Sequence, residues 1–311
     1  MEPILPFEPL VSSIVPTGDN WVHQVKWDGV RMLSYYNANE IKLFNRKKHE
    51  RTYQYPELLT PSYCKANSFI VDGEIIALAS DGKPSFHEVM RRDGIRVTSR
   101  VPQAAQAVPI TYMIFDMIWC NGEWINNKPL HERQQLLNDM ILPNEHIQLV
   151  TNHLDGNALL EAIRSKDMEG IVSKKLDSHY SLGSKDGRWI KIKNYGDIIA
   201  VIGGFRMEGG VVKAILTGLY REGKLIFIGK VGTGKLSSAD WRELTERLVA
   251  IETIHCPFAN QRDEFKNARW VLPLLTVKIQ YSEWRQHENR TMRQPSIQAF
   301  VDKPPMQCLF E

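Results

Sequence analysis

The segment Lys26-Trp27-Asp28-Gly29-Val30-Arg31 constrains this chain more than any other. It sets a lysine, a carboxylate and an arginine around a glycine, between two runs that favour strands. Alone it says little, because Lys-x-Asp-Gly is common by chance. Five later segments give it company: Val71-Asp72-Gly73-Glu74, Tyr112-Met113-Ile114-Phe115-Asp116, Glu169-Gly170-Ile171-Val172-Ser173-Lys174-Lys175, Trp189-Ile190-Lys191-Ile192-Lys193 and Met292-Arg293-Gln294-Pro295-Ser296-Ile297. Glu74 and Glu169 sit among isoleucine and valine, where an unpartnered charge is costly. Strand alternation puts Lys191 and Lys193 on one face.

Apolar or alternating runs predict strands over residues 21–26, 31–36, 41–44, 69–79, 110–119 and 190–192. Helical spacing predicts helices over 131–140 and 157–164, the second opened by Asp155 and Gly156. Strands mixed with intervening helices indicate an α+β domain with a largely antiparallel sheet. From Gly196 the texture changes. Strands over 198–205, 211–220 and 224–231 are joined by glycine-rich turns. Ser237 then caps a helix over 239–251 with Leu244, Leu248 and Ile251 on one face, and 271–284 reads as a further extended run. Three strands, a helix and more strands is the order of an OB-fold barrel, which is all-β and binds oligonucleotides. The expected domains are 1–195 and 196–311.

The 311 residues suggest roughly two domains. Residues 1–195 carry 23 Lys+Arg against 23 Asp+Glu, and 196–311 carry 16 against 13. That balance excludes a broad basic coat and fits local phosphate contacts in the second half. The cysteines, Cys64, Cys120, Cys256 and Cys308, form no Cys-x-x-Cys pair. They read as reduced thiols rather than a zinc site. No signal peptide and no membrane span is legible, and the expected location is the bacterial cytoplasm. Gly229–Lys235 has the spacing of a phosphate-binding loop, but Leu236 follows where Ser or Thr is required. It reads as a glycine turn.

The ordered series resembles the covalent nucleotidyltransferases, most closely the ATP-dependent DNA ligases. Its phrasing is nearest the ligase domains of the bacterial end-joining ligase D proteins, and the resemblance covers nearly the whole chain. It implies ATP and Mg²⁺ or Mn²⁺ as cofactors, with Lys26 as the nucleophile that carries AMP in a phosphoramide bond. An amine attacks only when neutral, and the cations Lys191 and Lys193 are suited to lowering its pKa. Both also count as catalytic residues holding the α-phosphate, and Asp28 joins them by orienting the lysine.

The same resemblance assigns Gln24 and Val25 to the nucleotide and Arg31 to ribose or phosphate. Arg46 is placed near the ribose or the nick. Glu169 goes to the metal, and Glu74 to the ribose or the metal. Phe115 stacks on adenine, Val172 covers the other base face, and Lys174 contacts phosphates. Trp189 is carried over as a further motif position. Arg46-Lys47-Lys48 with Arg51, and Arg91-Arg92, are candidate DNA contacts.

Two positions depart from the family pattern. Gln24 stands where the family has glutamate, keeping an acceptor without the charge. Phe300 stands where the last motif has an arginine that helps orient pyrophosphate, with Arg293 as a candidate substitute. The implied activity is sealing of 3′-OH/5′-phosphate nicks in double-stranded DNA by a monomer, within non-homologous end joining. Ku and a polymerase segment beyond Glu311 are the implied companions, and a hinge over 195–197 lets the barrel move. An RNA ligase, a capping guanylyltransferase and a nick-binding protein with impaired adenylylation are the rival readings. The lack of a four-cysteine module disfavours a NAD⁺-dependent ligase.

Overall fold

The computed structural model describes residues 1–232, 234, 236–260, 262–284 and 291–310. The chain divides into two compact units, Met1–Asn194 and Tyr195–Glu311.

The first unit is built on two sheets. Strands β1 (Glu8–Val11), β2 (Trp21–Val25), β9 (Gly170–Lys175) and β10 (Lys185–Lys193) form a four-stranded sheet in the order β1-β10-β9-β2. Strands β3 (Val30–Tyr36), β4 (Ile41–Asn45), β5 (Phe69–Ile76), β6 (Thr111–Cys120) and β7 (Glu123–Trp124) form a larger sheet, ordered β4-β3-β5-β6-β7. A short parallel strand, β8 (Ile147–Leu149), pairs with β6. Most neighbours are antiparallel, as the α+β reading expected.

Alternation makes each sheet two-faced. Phe7, Tyr180 and Trp189 from the four-stranded side pack with Leu33, Tyr35, Ile70 and Ile118 of the larger sheet. The other face of the larger sheet carries the main core, with Met32, Leu43, Val71, Ile75 and Ile114. The other face of the four-stranded sheet is covered by α4 (Gly156–Ser165), whose Leu159, Leu160 and Ile163 meet Ile171 and Ile192. Asp155 caps α4 by accepting from the Asn157 and Ala158 amides. Helix α3 (Leu130–Met140) falls where its spacing predicts. Two helices went unpredicted, α1 (Phe86–Asp93) and α2 (Val101–Ala107).

In the second unit, β11 (Gly196–Glu208), β12 (Val211–Arg221) and β13 (Lys224–Val231) form an antiparallel meander. Helix α5 (Ser238–Ala250) follows, opened by a capping box between Ser237 and Asp240, with Leu244 and Leu248 buried. The run over 271–284 is not one strand. Pro273 interrupts it, so β15 (Arg269–Val271) and β16 (Thr276–Tyr281) pair separately along β11. A two-residue strand, β14 (Glu252–Thr253), flanks β15. Strand β17 (Ser296–Val301) pairs with β16, and a bridge from Gly234 to Ile297 returns to the end of β13. The circuit β13-β12-β11-β16-β17-β13 closes a five-stranded barrel with its helix between third and fourth strands, the OB arrangement.

Of the phosphate-loop decoy, Thr233 and Lys235 lie outside the described residues, while Gly229–Val231 ends β13. Phe300 is half-buried against the barrel core, with the Arg247 guanidinium 5.8 Å from its ring centre. Arg293, the candidate substitute for the missing arginine, pairs with Glu283 at 3.7 Å. All four cysteines are free thiols, and only Cys256 is exposed. Among the described residues, no helix is long and apolar enough to cross a membrane.

Candidate functional site

Cross-strand register assembles the site on one face of the four-stranded sheet. Gln24, Val172 and Lys191 are directly opposite one another on β2, β9 and β10. Val22, Lys174 and Trp189 form the next row. The Lys26 amide donates to the Gly170 carbonyl at 2.9 Å, and Gly170 lies opposite Lys193. Gly170 has φ +145°, and a Cβ there would meet the Ile192 carbonyl oxygen at 2.2 Å, so only glycine lets Glu169 enter beside Lys26. Gly29 performs a similar service on the other side, where a Cβ would stand 2.1 Å from the Ile75 oxygen.

The charged end of the site centres on Lys26. Its Nζ lies 2.7 Å from Glu169 Oε2, and Lys193 Nζ lies 3.7 Å from Glu169 Oε1. Burial pulls the Lys26 pKa down, but Glu169, then Glu74 and Asp28, outweigh it and hold the ammonium above the ordinary lysine value. This corrects the expectation that Lys191 and Lys193 depress the Lys26 pKa: the nearest charge is an anion. Lys191 is itself pulled down, by burial and then by Lys26 and Lys193. Burial pushes the Glu74 carboxyl up to about 8, against the pull of Lys26. Glu74 sits opposite Arg31 in the β3–β5 register. Buried Asp28 is close enough to raise both Lys26 and Glu74.

Glu169 and Glu74 are the carboxylates that fit a hard divalent cation. Among the described residues no cluster of three or more metal-ligating side chains occurs. One or two carboxylates are what Mg²⁺ usually takes from a protein when phosphates complete its shell.

The other end of the site is aromatic. Phe115 and Trp189 meet edge to face with centroids 6.1 Å apart, bringing the two sheets together. Lys174 Nζ lies between them, 4.2 Å from the Phe115 ring centre and 4.0 Å from that of Trp189. The side chain is 2% exposed, and Nζ has no hydrogen-bond partner among the described residues. Burial brings its pKa down to about 7, with Asp116 and Asp72 opposing. Arg31 donates from Nε and Nη2 to both Asp72 oxygens at 3.0 and 2.6 Å, and from Nη2 to the Phe7 carbonyl and the Tyr180 hydroxyl. The bonds described leave Nη1 for a ligand.

Several expected placements need correcting. Lys174 is held between the Phe115 and Trp189 rings, and no described bond ties its Nζ to Lys26, Glu169 or Lys193. The Val25 side chain packs with the α4 core on the opposite face, leaving only its backbone for a nucleotide. Arg46 is exposed in the turn after edge strand β4, and no described contact ties it to the Lys26 cluster. Arg92 is fully buried and holds Glu57, the Gln54 carbonyl and the Val108 carbonyl, so it is structural and not a DNA contact. Arg91 is exposed and pairs with Glu88, and Arg51 pairs with Asp93. Val172 and Phe115, by contrast, are both half-exposed at the site.

Three residues with a clear part in the geometry were not predicted. Asp72 orients Arg31 and accepts from Tyr180 at 2.6 Å. Alternation with Glu74 was the available signal. Tyr180 and Phe7 come from irregular segments, and no sequence pattern marks them. Asp116, opposite Asp72 across the strands, is neutralised by buried Arg133 at 2.8 and 2.9 Å.

Comparison with known proteins places the chain in a family. The family model for the ATP dependent DNA ligase domain matches residues 8–193, and that for the ATP dependent DNA ligase C terminal region matches 208–302. The multifunctional non-homologous end joining DNA repair protein LigD of Mycobacterium tuberculosis is 31% identical over 302 residues, covering 94% of this chain but 37% of that protein. The SPbeta prophage-derived DNA ligase-like protein LigB of Bacillus subtilis is 33% identical over 189 residues, covering 60% of this chain and 66% of that one. The solved mycobacterial DNA ligase D complexed with ATP and MES superposes with a TM-score of 0.56 at 27% identity, covering 99% of this chain and 98% of that chain. The ligase domain of M. tuberculosis LigD gives a TM-score of 0.54 at the same identity and coverage. The chain thus spans little more than a third of the full mycobacterial proteins, and with a family model over more than half its length it belongs to the ATP-dependent DNA ligases.

Proposed function

We propose that this chain is an ATP-dependent DNA ligase that seals 3′-OH/5′-phosphate nicks through an AMP-lysine intermediate on Lys26. The observation that carries this reading is Lys26 beside Glu169, with Lys191 and Lys193 on the same sheet face and Phe115 across from it. The neutral Lys26 amine attacks the α-phosphorus of ATP. A nitrogen–phosphorus bond forms, the bond to the β-phosphate oxygen breaks, and pyrophosphate leaves. The AMP then passes to the DNA 5′-phosphate, restoring the lysine, and the 3′-OH displaces AMP to close the strand.

Lys191 and Lys193 oppose the charge developing on the transferred phosphoryl group. Phe115 and Val172 sandwich the base. Arg31, fixed by Asp72, offers its remaining nitrogen to the ribose. Glu169 and Glu74 would hold Mg²⁺ or Mn²⁺, which neutralises phosphate charge. Residues 195–197, which open the second unit, are the proposed hinge.

The names of the mycobacterial relatives support a place in non-homologous end joining, while Ku and a linked polymerase are companions that the family resemblance alone implies. Incubation with α-labelled ATP and metal should label the wild type and not Lys26→Ala. Labelled protein should then convert nicked DNA, and not nicked RNA, to a sealed strand. Label retained by the alanine variant rejects Lys26 as nucleophile, and sealing of RNA over DNA rejects the substrate.

A further inference from the structure

The adenine-recognition residue of the nucleotide reading is an amide, and an amide is two-faced. A carboxylate can only accept. A glutamine turned over presents NH₂ instead of oxygen, so it could welcome a 6-oxo purine as readily as a 6-amino one. Gln24 is buried on the ligand face of the sheet, two residues from Lys26 and directly opposite Val172. Something must decide which way its amide turns.

The structure holds such a device. Gln24 Nε2 donates to Asn152 Oδ1 at 2.8 Å. Asn152 Nδ2 donates in turn to Gln134 Oε1 at 2.5 Å, and Gln134 Nε2 returns a bond to Asn152 Oδ1 at 3.3 Å. Gln134 comes from α3 and is 8% exposed, while Asn152 sits exposed in the loop between β8 and α4. Turning Gln24 alone would set its oxygen against the Asn152 oxygen and lose a hydrogen bond. Turning Asn152 alone would break its reciprocal pair with Gln134. Only a concerted turn of three amides reverses the arrangement.

We propose that Asn152 and Gln134 are positioning residues that hold the Gln24 oxygen toward the base, so that the site accepts from a 6-amino purine and rejects a 6-oxo purine. The inference rests on the reading of this face as the nucleotide site. It assigns selectivity to residues outside the motifs quoted above, on α3 and a connecting loop. A single amide hydrogen bond separates the two orientations, so the discrimination it enforces is about ten-fold.

The test measures equilibrium binding of ATP and of ITP by tryptophan fluorescence, with α-labelled ATP run in parallel. Wild type should bind ATP about ten-fold more tightly than ITP. Asn152→Leu should lower that ratio toward one while leaving Lys26 able to take label at saturating ATP. Asn152→Asp, which still accepts from Gln24, should keep the ratio. Gln134→Leu should fall between them. Because Asn152 is exposed, its variants should fold, and an unchanged thermal midpoint checks this. An Asn152→Leu protein with the wild-type ratio overturns the proposal, as does a wild type that prefers ITP. Absence of label on a wild type that still binds ATP selectively counts against the covalent chemistry and supports the selectivity device, so the two failures are told apart.

Discussion

Lys26 and Lys174 stand on the same face of the same sheet, yet their surroundings act on them in opposite directions. Lys26 is ringed by carboxylates and is held as an ammonium above its ordinary value. Lys174 has two aromatic faces and no hydrogen-bond partner among the described residues, and burial brings it down to about 7. Burial penalises both; what differs is whether an anion lies in contact. Proximity to other lysines is therefore a poor guide to which amine is neutral. The proposed nucleophile is protonated while Glu169 pairs with it, and it becomes competent only when Glu169 takes another partner. Lys174 is brought far closer to neutrality, but it sits between two rings rather than beside Glu169.

Breaking the first half of this comparison gives the largest effects. Lys26→Ala removes the group that bonds to phosphorus, so labelling by α-labelled ATP should fall by at least about 10⁴-fold. Glu169→Gln keeps a hydrogen-bonding group but removes the charge. It should lower labelling by about 10²–10³-fold. If charge on Glu169 served only to keep Lys26 protonated, this variant would label faster than wild type, and the metal role would be lost with it. Lys193→Ala acts at 3.7 Å from Glu169 rather than 2.7 Å. Its loss should be about ten-fold in single-turnover labelling. A loss equal to that of Glu169→Gln would show that the two act as one unit.

Much of this site could be read from the chain because strand alternation is simple. Lys191 with Lys193, and Asp72 with Glu74, share faces by counting alone. Assembly across strands is different, since it depends on register that no local pattern records. Glu169 meets Lys26 only because Gly170 lets β9 approach β10 so closely. That glycine is visible in the sequence, but the partner it serves is not. Lys174 and Val25 show the same limit in reverse. Their motif positions imply nucleotide contacts, while the fold buries the Lys174 side chain between rings and packs Val25 in the α4 core.

Helix α1 was missed although Ser85 and Glu88 spell a capping signal. Its basic residues drew attention as DNA contacts instead. Buried Arg92 shows why a basic pair is weak evidence for a nucleic-acid surface: long cations also staple loops from within. In the barrel, strand order is legible because turns are glycine-rich and the helix is capped, whereas the apolar run around Pro273 masks the break between β15 and β16.

The second half of the comparison is tested by stability rather than activity. Lys174→Met keeps the packing volume between Phe115 and Trp189 and removes the titrating group. In the folded chain Lys174 releases its proton near pH 7, while in the unfolded chain it does so near the ordinary lysine value of 10.5. Between these values the unfolded chain holds the extra proton, so wild-type stability gains from this residue as pH rises through that window. Below pH 7 both states are charged, and the full penalty of a buried unpartnered ammonium is present. The methionine variant should therefore be more stable than wild type at pH 6, and its advantage should shrink by roughly 1 kcal/mol or more by pH 9. Urea midpoints at the two pH values read this directly. An advantage that is the same at both would mean that the Phe115 and Trp189 faces hold Lys174 charged throughout, and the contrast with Lys26 would vanish.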